Sequence, residues 1–235
     1  MLALTLGIAL FAAQSPCPLE ATRLVAEASV RAAEFDLPAA AEQLRAAVAQ
    51  GCTSAEVAAF YVRGLLDARE AFRQGGLPES LVPVRHAIAA LEAIAQSRPG
   101  PPAIAQLVLR AAAAAAQTER DEMRVYLESA TRMEALQHAA GQPGAPLVTA
   151  AEMAGDLWLQ VHRYEEAWQS YVAAAQQVGP ALRVLAGLAR TTARQNHVTA
   201  ACGAFRTLVE EWGVRPAEPQ EISEARAYLR EAACR

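Results

Sequence analysis

The sequence predicts an all-α protein built from antiparallel helix hairpins. Alanine, the strongest helix former, is very abundant, and apolar residues make up 53% of the chain. Glycine and proline fall largely in short clusters that separate long stretches with few of either. No segment alternates apolar and polar residues between two turn signals, so no strand is predicted.

The breakers set the elements in order. A first helix is expected from Leu19 to Glu34 and its partner from Pro38 to Gln50, with Pro38 in the first turn, where its missing N–H costs nothing. Gly51-Cys52-Thr53-Ser54 reads as a stop followed by a cap, with Ser54 accepting from the next turn. A third helix runs to about Gln74 and ends at Gly75-Gly76, and a fourth begins near Pro78. Arg98 to Pro102 (RPGPP) reads as a linker. Ala103 to Ala140 holds no Gly or Pro. It is either one very long helix or a hairpin broken near Thr118 to Asp121, and ordinary helix lengths favour the hairpin. The alanine run Ala111 to Ala116 marks close helix packing. Gly141 to Pro146 is a second linker, followed by two more helix pairs and a final helix from about Glu218 to Ala233.

Met1 to Ala13 carries no charge and is shorter than the ~20 apolar residues a membrane span needs. It fits the apolar core of a secretory signal, although no basic residue precedes it and Phe11 or Leu10 would stand at the −3 position. The alternative is a buried N-terminal helix. The cysteines point the same way. Cys17 precedes the first helix and Cys52 follows the second, so an antiparallel hairpin brings them to one end. Cys202 lies early in a late helix and Cys234 at the end of the next, which gives a second pairing. Two disulfides imply an oxidising compartment, periplasmic or extracellular in a bacterium. The alternative is four reduced, buried cysteines. All 21 basic residues are Arg, a bias of GC-rich, bacterial-type genomes.

The chain from Val148 to Arg215 carries an internal repeat. Gly155 and Ala189, Ala167 and Ala201, and Tyr171 and Phe205 each lie 34 residues apart. In the first copy, Val148 to Ala181, Trp158 precedes Tyr164-Glu165-Glu166-Ala167, then Tyr171, Ala174 and Pro180. In the second, Leu182 to Arg215, Leu185, Leu188 and Ala189 precede Ala201 and Phe205. Thr192 and Val198 depart from the pattern, as does Ala151. This spacing resembles the tetratricopeptide repeat (TPR) family, in which each repeat is helix A, turn, helix B. The resemblance implies a right-handed α-solenoid of antiparallel helix hairpins with a C-terminal capping helix. The expected organisation is a signal over 1–13, N-terminal hairpins over 17–98, and TPR-like repeats with the capping helix over 103–235. Small residues at Gly155 and Ala189 would let helix A approach helix B, and Tyr171 and Phe205 would wedge between neighbouring hairpins.

The resemblance also implies a protein-interaction scaffold whose A helices line a concave groove. Carried over by position, the groove residues are Thr149, Glu152, Asp156, Leu159 and Gln160 from the first copy. The second copy gives Arg183, Ala186, Arg190, Ala193 and Arg194. Arg183, Arg190 and Arg194 would form a basic stripe for an acidic or mixed-charge peptide. The competing arrangement is internal: Glu152 and Asp156 neutralise those arginines across neighbouring A helices. The expected partner is another protein or peptide. No cofactor, metal, nucleic acid or stable membrane span is expected, because the sequence has no Cys/His zinc spacing, phosphate-cradling loop, nucleophile elbow or dense basic stripe. His162 and His197 fall at A–B turns. Two other readings compete: a helical enzyme with a dispersed active site, and a structural helical domain of an envelope assembly.

Overall fold

The computed structural model describes residues 17–34, 36–214, 219–231 and 234. The proposed signal, Met1 to Ala13, lies outside them. The described residues form eleven α-helices packed in sequential pairs: α1 Leu19–Ala33, α2 Leu37–Ala49, α3 Glu56–Arg73, α4 Val82–Ser97, α5 Pro101–Ala116, α6 Arg120–Ala139, α7 Ala150–Gln160, α8 Tyr164–Val178, α9 Leu182–Arg194, α10 Val198–Trp212 and α11 Gln220–Glu231. No strand occurs among them, and none of the described helices is long and apolar enough to cross a membrane.

The described chain divides into two compact units, one of the residues up to Ala32 with Asp36–Ala150 and the other of Ala33 and Glu34 with the residues from Ala151 onward. Pro101 and Pro102 are not linker residues but the first turn of α5, where proline is tolerated because those N–H groups have no intrahelical acceptor. Helix α5 then packs on α3, α4 and α6, which ties the 101–139 hairpin into the first unit. Gly64 on α3 permits that approach: a β-carbon there would sit 2.5 Å from Leu109 Cδ1 of α5 and 3.1 Å from Ala87 Cβ of α4. The alanine run is buried as expected, with Ala111, Ala112, Ala114, Ala115 and Ala116 in the core.

Further boundaries differ for identifiable reasons. Helix α4 starts at Val82 rather than near Pro78, because 78–81 form turns closed by Ser80 N–H to the Leu77 carbonyl at 3.0 Å. Asp36 caps α2 by accepting from Ala39 N–H at 3.1 Å. Ser54 does not cap. It lies inside a short 3-10 turn, Thr53–Ala55, that leads into α3.

The 103–140 stretch is a hairpin. Its turn recurs twice in the second unit. Thr118, His162 and Asn196 each take a left-handed backbone (φ 62°, 62° and 61°) two residues after a helix ends. In each, the next N–H reaches back five residues: Glu119 to Ala114, Arg163 to Trp158 and His197 to Thr192, at 2.9, 2.9 and 3.1 Å. This closes the orphan carbonyls of the preceding helix. His162 and Asn196 are 34 residues apart, as are the starts of α8 and α10 at Tyr164 and Val198.

Both expected disulfides are present. Cys17–Cys52 has a Cα separation of 4.7 Å and Cys202–Cys234 one of 5.5 Å. The first sets the start of α1 beside the end of α2, and the second sets the start of α10 beside the end of α11. Both pairs are therefore antiparallel.

Candidate functional site

Helices α7, α8 and α9 of the second unit are organised around Tyr171. Its ring, buried on α8, lies where side chains at Gly155 of α7 and Gly187 of α9 would otherwise stand. A β-carbon on Gly155 would approach Tyr171 Cε1 to 2.7 Å, and one on Gly187 would come closer. Tyr171 thus touches both its own hairpin and the next, as the repeat spacing suggested. Gly187 supplies half of that slot and was not distinguishable in the sequence. Phe205 takes the corresponding position on α10 and packs against Tyr228 of α11, with ring centroids 4.5 Å apart.

Polar groups follow the same plan. The Tyr171 hydroxyl donates to Asp156 Oδ1 at 2.5 Å. Burial, then the charge and hydrogen bond of Asp156, hold the Tyr171 hydroxyl well above the usual phenol range, against the opposing pull of Arg183 and Arg190. Asp156 also receives Arg183 from α9, and Arg183 Nε lies 3.9 Å from Glu152 Oε1. One step along, Arg190 of α9 reaches Glu224 Oε2 at 2.5 Å and Glu221 Oε1 at 3.5 Å on α11. Burial works against the Arg190 charge, but the Glu224 hydrogen bond and the charges of Glu224, Glu221 and Asp156 outweigh it and raise its pKa. Charge therefore alternates from helix to helix: acids on α7, arginines on α9, acids on α11.

The positions assigned to the groove separate into two groups. Glu152 and Arg183 are buried, each 5% exposed, and Arg183 joins both Glu152 and Asp156. Arg183 is thus paired with Glu152 and Asp156 of α7, whereas Arg190 takes its acids from α11, Glu221 and Glu224. Among the remaining candidates, Gln160 is half-buried, Arg190 is partly exposed beside its two glutamates, and Arg194 is exposed at the end of α9. Of the other inner-face positions, Thr149, Leu159 and Ala193 are half-buried and Ala186 is buried. His162 and His197 are exposed at their turns, and His162 Nδ1 lies 3.1 Å from the Tyr164 hydroxyl.

Two further buried anchors escaped sequence reasoning. Glu134 of α6 is fully buried and accepts from Ala145 N–H at 2.9 Å and Ala150 N–H at 2.8 Å. It fastens the connection that follows α6 as far as Ala150. The buried Tyr61 hydroxyl donates to the Val148 carbonyl at 3.2 Å. Both belong to the first unit. An open surface depression of about 400 Å³ lies at the α5–α6 turn, lined by Thr118 to Glu122. Its lining is one continuous segment, so it gathers no titratable groups from separate elements. No cluster of three or more metal-ligating side chains occurs among the described residues.

No protein-family model, curated protein or solved structure matches this chain.

Proposed function

We propose that this chain is an exported TPR-like scaffold that binds another protein through the A-helix face of its second unit. The observation that carries the reading is the 34-residue phase. It governs the buried aromatics Tyr171 and Phe205, the left-handed turns at His162 and Asn196, and the starts of α8 and α10. The two disulfides support export, since such bonds persist in oxidising compartments. Within the face, Arg190, Arg194 and Gln160 present polar atoms toward solvent and suit an acidic or mixed-charge segment, whereas Arg183 and Glu152 hold the hairpins together. A structural role in an envelope assembly is the competing reading, favoured by the internal pairing of Arg190 with Glu221 and Glu224.

The test is capture of partners from the native envelope fraction by the full chain and by an Arg190→Ala/Arg194→Ala variant. The scaffold reading expects a defined partner that salt weakens and the variant loses, with the circular dichroism of the variant unchanged. Equal capture by both proteins would remove the A-helix face as the binding surface.

A further inference from the structure

The two disulfides differ in what surrounds the sulfur atoms and in what they hold. Ser54 Oγ lies 3.1 Å from Cys17 Sγ and 3.3 Å from Cys52 Sγ, so one hydroxyl bridges both atoms of the bond. Cys52 is fully buried, whereas Cys17 is partly exposed and is the sulfur a reagent from solution meets first. At Cys202–Cys234 the described polar contact is different: Arg206 donates to the Cys234 carbonyl oxygen, not to sulfur.

The helix held by Cys17 is weakly anchored otherwise. The fully buried side chains of α1 are Ala21, Ala28 and Ala32, each burying only a methyl group, while Leu24 and Val25 are only partly buried. Leu19 is exposed, and Val30 is half-exposed. Arg23 pairs within α1, with Glu20 and Glu27, while Gln43 Nε2 of α2 donates to Glu27 Oε2 at 3.2 Å. Helix α11, held by the other bond, brings Ile222, Ala225 and Tyr228 to a core shared with Leu208 and Phe205. Apolar burial scales with the area removed from water, so α1, with no large side chain fully buried, leans more on its disulfide than α11, which buries Ile222 fully.

We propose that Cys17–Cys52 is a thiol-exchange site, opened by a dithiol reductant at Cys17, and that its reduction undocks α1. One thiolate of the dithiol attacks Cys17 Sγ. A new S–S bond forms there as the Cys17–Cys52 bond breaks, and its electron pair leaves on Cys52 Sγ. The Ser54 hydroxyl donates to that thiolate as charge develops, which favours the departure. The second thiolate of the dithiol then attacks its own sulfur in the mixed disulfide and expels the Cys17 thiolate. Water protonates the released sulfurs according to pH. The dithiol ends as a disulfide, and the two electrons reside on Cys17 and Cys52.

The experiment exposes the oxidised full chain to dithiothreitol for graded times, quenches with an alkylating reagent and identifies each cysteine peptide by mass spectrometry. Glutathione in a parallel series traps the mixed disulfide. Hydrogen exchange follows residues 19–33. Cys17–Cys52 is expected to open about tenfold faster than Cys202–Cys234, with the glutathione adduct on Cys17. Ser54→Ala should slow the first opening about threefold or more and leave the second unchanged, and Ser54→Thr, which keeps a hydroxyl, should restore it. Amides of α1 should lose protection on reduction while those of α3 keep theirs. Equal opening rates, an adduct on Cys52, a hydroxyl-independent rate or a protected α1 after reduction would each overturn the proposal and leave a purely structural bond.

Discussion

Tyr171 and Gly187 compete for one space. A β-carbon on Gly187 would sit 2.6 Å from Tyr171 Cδ1 and closer still to Cε1 and Cζ. Gly187→Ala therefore forces either the ring or the α8–α9 spacing to move, at a cost of about 1–3 kcal/mol. Gly155→Ala meets the same ring at slightly longer range and should cost less. Urea midpoints of both variants check the order. Equal, wild-type midpoints would mean that the ring is not wedged between α7 and α9.

Tyr171→Phe keeps the wedge and removes the hydroxyl that donates to Asp156. The loss is expected at about 1.5–3 kcal/mol, the range for a hydrogen bond to a charged group. The variant should also change the alkaline limb. Burial and Asp156 raise the phenol pKa above its ordinary 10.0 in the folded state. The unfolded chain then releases this proton first. The stability from the neutral phenol is complete below pH 10 and is lost as pH rises toward the folded pKa, by up to about 1.4 kcal/mol per pH unit. Denaturation at increasing pH should show a shallower decline for Tyr171→Phe. A parallel decline would place the alkaline sensitivity elsewhere.

Glu134→Ala strands two backbone donors, Ala145 N–H and Ala150 N–H, that the buried carboxylate now satisfies. The expected cost is about 2–5 kcal/mol. Glu134→Gln keeps acceptor capacity on one oxygen and should cost less. Hydrogen exchange at 144–150 should quicken in Glu134→Ala before the core of α5 is affected. Unchanged protection there would show that the connection is held by other contacts.

The sequence made helix pairing, both disulfides and the Tyr171–Phe205 relation legible, because each follows from spacing. Breakers bound helices, cysteines at hairpin ends meet, and a 34-residue period keeps equivalent residues in equivalent places. It did not reveal Gly187, Gly64 or Glu134. A glycine inside a helix looks like a local weakness until the side chain that needs its space is known, here Tyr171 for Gly187 and Leu109 for Gly64. Glu134 sits among the exposed charges of α6, and nothing local distinguishes a carboxylate aimed at backbone amides eleven and sixteen residues onward. The proline pair misled for a related reason. Pro101-Pro102 breaks a helix from within but begins one equally well, and the packing of α5 decided between the two. The arginine positions were legible as a helical face. Which of them are consumed internally depended on the acids of α7 and α11, whose distances no spacing rule supplies.

The contact of Phe205 with Tyr228 has a consequence for self-association. A helix pair buries one apolar face against its neighbour, and where no neighbour covers that face another molecule can. Here α11 covers it with Ile222, Ala225 and Tyr228, and the Cys202–Cys234 bond keeps that cover from fraying away. Without that twelve-residue helix, the apolar side chains of Leu208 and Phe205 would face water, and uncovered apolar surface of this kind favours self-association.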